Sequence, residues 1–501
     1  MSTAASRAWL GVALVGLVLV VLVLALSLFP RLGAGQSVID AAKPAFTDQR
    51  VAGTQAGVGA ISQYVDLADP IVTARGGASR DVRSLIGLMR RKLGLSGAQV
   101  RKILRREAPH TEALTRAVPL DGAAREIPRL MSYLAATMAM TEEQLAAMLE
   151  QSFPRIAQTL TALPNVTDGW RDVPGIEGLT RLSGNKPVRT VPGLRKYYRD
   201  DVVPLIVEHK QDFRRLAGAG GIGYIPYLLV LAGLALFAYG LLQARHAEVT
   251  APGRRSWGIV VGAGAFLVLL VVGAQYLPRL DGGQKLISDV RPVFAKERVR
   301  GASIGIDTIH EAIAMGDPIV TPGGGAAREA PQLYRLVADR TGRHARDVRA
   351  MLKRRAPQTV ALLDALPLAQ VADEVPHLLG YLKRGLHMRR DKLVALLRRR
   401  TPALARMLLT APAVAGTWNA IPHTAEMTRF DGFTPVRTLP QFDDYLRQDL
   451  VPLLADERAD FDTLAGTWPP IDAFAPLLLI AGLFVMLYGG VMMKLVVRRR
   501  R

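Results

Sequence analysis

Asp69-Pro70-Ile71-Val72-Thr73 recurs, residue for residue, as Asp317-Pro318-Ile319-Val320-Thr321, an offset of 248 in a chain of 501 residues. The same offset lays Pro30-Arg31-Leu32 on Pro278-Arg279-Leu280 and Trp170 on Trp418. It also lays Pro187-Val188-Arg189-Thr190 on Pro435-Val436-Arg437-Thr438. Because no gap is needed across residues 30–218, the chain reads as an internal duplication. A period of 45 is nested inside each half. Residues 86–119 overlay residues 131–164, with Gln99 on Gln144 and Pro109 on Pro154; in the second half Pro357 falls on Pro402 and Pro367 on Pro412. Four copies of one helical unit are therefore expected.

Ser96-Gly97-Ala98-Gln99 and Thr141-Glu142-Glu143-Gln144 have the capping-box pattern, in which a hydroxyl and an amide satisfy free N–H groups at a helix start. Val100, Ile103 and Leu104, and likewise Leu145, Met148 and Leu149, then follow an i, i+3, i+4 stripe. Pro109 and Pro154 end those helices or open the next ones. Strand signals are confined to residues 180–182 with 188–191 and residues 428–430 with 436–439, which predict one short hairpin per half. Residues 36–66 and 194–216 read as helices that form a stalk beneath a helical head, kinked at Pro30, Pro278 and residues 218–221.

Outward from the repeats lie four apolar runs, at residues 9–29, 222–242, 258–277 and 471–497. Each is long enough to cross a hydrocarbon core, which takes about 20 helical residues. Half of all residues are hydrophobic and the mean hydropathy is +0.18, in keeping with a membrane protein. The first run is longer than the apolar part of a cleaved signal, and its counterpart under the duplication is an internal span, so it reads as a retained anchor. Short flanks set orientation, since Lys and Arg stay cytoplasmic. The N-terminus (1–8) has Arg7, the 243–257 loop has Arg245, Arg254 and Arg255, and the tail (498–501) is all Arg. All three are expected in the cytoplasm, with helical domains 30–221 and 278–470 outside.

Residues with chemistry are few. The chain has no Cys, which excludes disulfides, thiolate metal sites and a Cys nucleophile. Gly301-Ala302-Ser303-Ile304-Gly305 matches a nucleophile elbow, but it falls in an expected helix with no strand before it. The eight His show no metal-ligand spacing, and no P-loop or dinucleotide fingerprint is present. No catalytic residue, cofactor or metal is therefore expected. Asp69/Asp317, Trp170/Trp418, Arg181/Arg429, Arg189/Arg437 and Asp201/Asp449 stand in both halves and read as fold-building, Arg181 with Asp201 as an internal ion pair.

The net charge is +21, and only 12 of the 64 cationic residues are Lys, the Arg bias of a GC-rich bacterial genome. Nine cations gather in two units of the second half: Lys353, Arg354, Arg355, Arg389, Arg390, Lys392, Arg398, Arg399 and Arg400. They suit anionic lipid headgroups or acidic envelope polymers, or are simply a solvated face. Nucleic acid is not expected, since aromatics do not interleave with them. Gly258 and Gly262 form a small-xxx-small pair for close helix packing in the membrane.

The expectation is thus a mostly α, multi-pass protein of the bacterial cell envelope with four transmembrane helices and two homologous helical extracytoplasmic domains. It acts without catalysis, as a scaffold or accessory subunit, with the bilayer, a membrane protein or further copies of itself as partners. The alternative is a lipid or lipid-polymer carrier, with Leu130, Met131, Leu134, Met138, Met140 and Met148 lining an apolar groove in the outer domains.

Overall fold

The structure is a computed structural model that describes residues 2–218, 221–246, 254–273, 275–466 and 469–500. Residues 219–220, residues 247–253 of the 243–257 loop, and Arg501 of the basic tail lie outside the described residues. The first half runs α1 (Ser2–Ala25), α2 (Leu28–Ala42), α3 (Asp48–Val72), α4 (Ala78–Leu93), α5 (Gly97–Glu107), α6 (Pro109–Ala117), α7 (Leu120–Thr137), α8 (Glu142–Ser152), α9 (Pro154–Arg171), α10 (Val191–Lys196), α11 (Val203–Leu216) and α12 (Ile225–His246). The second runs α13 (Arg254–Gly273), α14 (Tyr276–Val290), α15 (Lys296–Val320), α16 (Ala326–Thr341), α17 (Ala345–Arg355), α18 (Pro357–Asp364), α19 (Leu368–Gly385), α20 (Arg390–Arg400), α21 (Pro402–Asn419), α22 (Leu439–Tyr445), α23 (Val451–Asp456), α24 (Arg458–Leu464) and α25 (Phe474–Arg500).

Contacts divide this chain differently from the two outer domains expected at 30–221 and 278–470. One compact unit is Met1–Thr47, Leu205–Lys296 and Pro452–Arg501; the other is Asp48–Pro204 with Glu297–Val451, so segments of both halves share one body.

The first unit holds four helices long and apolar enough to cross a membrane, at Ser6–Ala25, Ile222–His246, Arg254–Gly273 and Ile471–Val496. They pack as two pairs, α1 with α12 and α13 with α25. A Cβ on Gly16 would stand 2.5 Å from Gly233 O, and one on Gly264 would stand 2.5 Å from Met486 N, so only glycine permits this approach. Gly258 and Gly262 do not serve that purpose within the chain: a Cβ on either meets nothing within 4 Å. The helix face that turns toward α25 carries Gly264 instead. The stacked rings of Trp9 and Trp257, 3.8 Å apart, tie α1 to α13.

The first and third spans stop earlier than the hydropathy suggested, because the backbone turns left-handed at Ser27 (φ 50°) and Gln275 (φ 52°). Pro30 and Pro278 therefore fall in the first turns of α2 and α14, where a missing N–H costs nothing, rather than at kinks. A further break at residues 43–47 separates α2 from α3, so residues 36–66 are not one helix.

In the second unit four helix triplets, α4–α6, α7–α9, α16–α18 and α19–α21, follow the spacing that the period of 45 requires. Both expected capping boxes form: Ser96 with Gln99, and Thr141 with Gln144. Thr438 and Gln441 form a third. The expected hairpins do not become strands. Each is one antiparallel bridge, Thr180 to Pro187 and Thr428 to Pro435, and no strand occurs among the described residues. The N–H groups that would continue each ladder turn to local carbonyls instead, Leu179 N to Ile176 O and Met427 N to Thr424 O, both at 2.9 Å.

The long helices of this unit are exchanged. First-half α3 packs on second-half α21, and Phe442 of α22 covers Gly57 of α3. Second-half α15 reciprocates: Leu194 of α10 covers Gly305, and Gln158 of α9 donates to Ala314 O at 2.9 Å. The core is continuous from Val58 to Leu446.

Candidate functional site

Four helices of this second unit begin with proline: α6, α9, α18 and α21. None has a side-chain cap from the residue before it, so its first N–H groups need an acceptor from elsewhere. A carboxylate from the other half supplies it each time. Glu126 accepts from Gln358 N and Thr359 N at 3.0 and 2.9 Å, while Glu374 accepts from His110 N and Thr111 N at 2.9 and 2.8 Å. Asp81 accepts from Ala403 N and Leu404 N at 2.6 and 3.2 Å, and Glu329 accepts from Arg155 N and Ile156 N at 3.0 and 2.9 Å. These charges also favour the positive ends of the helix dipoles. Sequence reading missed all four. The available signal was that Asp81, Glu126, Glu329 and Glu374 are related by the offsets 45 and 248.

Most of the residues held in common by the halves make contacts within the fold. Trp170 and Trp418 are buried and donate from Nε1 to Asp69 and Asp317 at 3.3 and 3.0 Å. Arg181 forms the expected pair with Asp201, donating from Nε and Nη2 at 2.6 and 2.8 Å; Arg429 repeats it on Asp449 at 3.2 and 2.9 Å. Both Asp residues sit in a wide π turn. Burial alone would raise the Asp201 pKa, but hydrogen bonds from Arg181, Ser183 and Leu182 N–H outweigh it, leaving the group below its ordinary value. Arg189 and Arg437 are exposed. Ser303 lies within α15 with no strand before it, so no nucleophile elbow forms there.

All nine second-half cations are exposed. They end on two different first-half helices, α17 lying against α7 and α20 against α4. The Arg355 guanidinium stacks over Tyr133, 5.1 Å from the ring centre, and Arg389 pairs with Asp391 at 3.6 Å. The other seven have no carboxylate partner among the described residues. Beside α20, the last turn of α4 adds Arg90, Arg91 and Lys92. The position of α20 in the first half is taken by α8, which has Glu142 and Glu150 where α20 has Arg390 and Arg398. Internal packing therefore does not demand the cations, since the same fold accommodates acids there.

The aliphatic residues considered as a groove lining belong to the core: Leu130, Leu134 and Met138 are buried, and Met131, Met140 and Met148 pack against them. An apolar groove of about 630 Å³ lies instead in the first unit, lined by Leu17, Val18, Val21, Leu22, Pro470 and Leu477 among others. No family model, no curated protein and no solved structure matches the chain.

Proposed function

We propose that this protein is a non-enzymatic integral membrane scaffold or accessory subunit of the bacterial cell envelope. Its helical unit docks an anionic surface through α20 and the neighbouring end of α4. In this reading the chain arose by duplication, both termini are cytoplasmic, and the helical segments of both halves lie outside. The observation that carries it is the row of unpaired cations on α20, which its packing does not require. Arg398, Arg399 and Arg400 favour the negative end of the helix dipole by less than about 1 kcal/mol each, which does not account for five cations with a single Asp on one eleven-residue helix; an anionic partner gives them a use. The filled helical core favours a surface role over carriage of a lipid inside that unit.

Each Arg near an anionic membrane contributes about 1 kcal/mol, so replacing Arg398, Arg399 and Arg400 by Glu should weaken docking by roughly a hundredfold or more. The test is flotation with vesicles of phosphatidylcholine or phosphatidylglycerol, using the full chain in phosphatidylcholine nanodiscs. Salt-sensitive binding to phosphatidylglycerol, lost in the triple variant, supports the reading, whereas equal binding to both lipids ends it. Since the chain has no Cys, Lys186→Cys and Arg245→Cys label cleanly. A membrane-impermeant maleimide on intact cells should modify the first and spare the second.

The second reading, a lipid carrier, rests on the groove at Leu17 and Pro470. Native mass spectrometry of the solubilised protein separates the two, as a discrete lipid adduct surviving delipidation would favour the carrier.

A further inference from the structure

His310 on α15 and Asp443 and Asp444 on α22 converge, although 133 residues separate His310 from Asp443. His310 Nδ1 lies 2.5 Å from Asp443 Oδ2, and one donor atom from each of the three residues falls within 4.8 Å of the others. We infer that these three side chains form a divalent-cation site.

Of the three groups, the Asp443 carboxylate has least access to water. Asp443 is 1% exposed, and its Oδ1 is buried without a hydrogen-bond partner. An anionic oxygen left so is costly, by more than any neutral group in the same place. A metal ion ligated there removes that cost. Asp444, part-buried, adds a second negative charge. The nearby cation, Arg447, donates instead to Asp307 at 3.0 Å.

The same place in the first half shows how the fold meets this need when it uses its own cations. There the counterparts of His310, Asp443 and Asp444 are Ser62, Arg195 and Lys196. Arg195 pairs with Asp66, and Arg199 donates to Ser62 Oγ at 3.3 Å. One half thus holds a guanidinium, an ammonium and a hydroxyl where the other holds two carboxylates and an imidazole. A bound cation would supply in the second half the positive charge that Arg195 and Lys196 supply in the first.

The donor set is one imidazole nitrogen with two carboxylate oxygens, a mixture that suits Zn²⁺ or Mn²⁺ and disfavours the all-oxygen preference of Ca²⁺. Three protein ligands leave a coordination position for water, and the His310 side chain, 31% exposed, opens the site to solvent. No such site was legible in the sequence, where His310 has no neighbour at ligand spacing. The inference is independent of the docking surface proposed above, since α15 and α22 carry none of those cations.

The test uses the full chain in detergent, purified on a histidine-free tag, stripped with EDTA and titrated with ZnCl₂ or MnCl₂ alone by calorimetry and thermal melting. One equivalent should bind and raise the melting temperature. His310→Ala and Asp443→Asn should each weaken binding by about a hundredfold, while Ser62→Ala leaves it unchanged. Should either core variant fail to fold, Asp444→Asn, at the part-buried edge, should still lower affinity at least tenfold. Failure of the folded wild-type chain to bind either ion overturns the inference. So does a bound equivalent retained by the variants.

Discussion

Asp81 shows how single residues hold the helical unit together. Its buried carboxylate accepts two N–H groups of α21, 322 residues away for the shorter bond, and no other cap serves that helix start. Asp81→Ala leaves those donors buried and unpaired, which should cost about 1–3 kcal/mol. A lowered thermal midpoint of the full chain would show it, with Asp81→Asn losing less because one acceptor oxygen remains. Arg181 permits a prediction with pH. The Asp201 pKa is held below its unfolded value, so the pair stabilises fully above about pH 4 and is lost as pH falls through the lowered pKa. Melting of Arg181→Gln should therefore lie below wild type at neutral pH and approach it in acid. A constant gap across pH would mean that Arg181 acts by packing alone. The pairing itself was legible, because both partners recur together in each half; the carboxylate caps were not, because the N–H donors they accept from sit in the other half.

At the scale of elements, local rules performed as local physics allows. Capping boxes at Ser96 and Thr141 join residues three apart, and so could be read directly. The hairpins stop at one bridge because Leu179 and Met427, whose N–H groups would extend the ladders, donate to Ile176 O and Thr424 O instead. The glycine that packs α13 on α25 was illegible for a different reason. Spacing marks Gly258 and Gly262, but which face of α13 meets α25 depends on a neighbour more than 200 residues on, and that face carries Gly264. Gly264→Leu should disrupt the pair and lower the melting temperature in detergent, at a cost of about 1–3 kcal/mol or more. Gly258→Leu and Gly262→Leu should be near neutral in the monomer.

At the scale of the molecule, exchange of α3 and α15 between the halves makes neither half self-sufficient in the helical unit. Chains broken between residues 246 and 254 and co-expressed should associate and co-purify, while the first half alone should aggregate or pair with itself. A stable monomeric half, seen by size exclusion with light scattering, would contradict this.

The sequence by itself determined four helices long and apolar enough to cross a membrane, several helix starts, the period of 45 and the offset of 248, because hydropathy, capping and repetition are carried by residues near one another or by direct identity. Only the tertiary structure decided that both halves build one helical body, that four carboxylates cap helices of the opposite half, and that His310 meets Asp443. Those outcomes rest on long-range pairing. Many partners satisfy the same local pattern, and the choice is made by burial and by the need of each buried donor or charge for an acceptor.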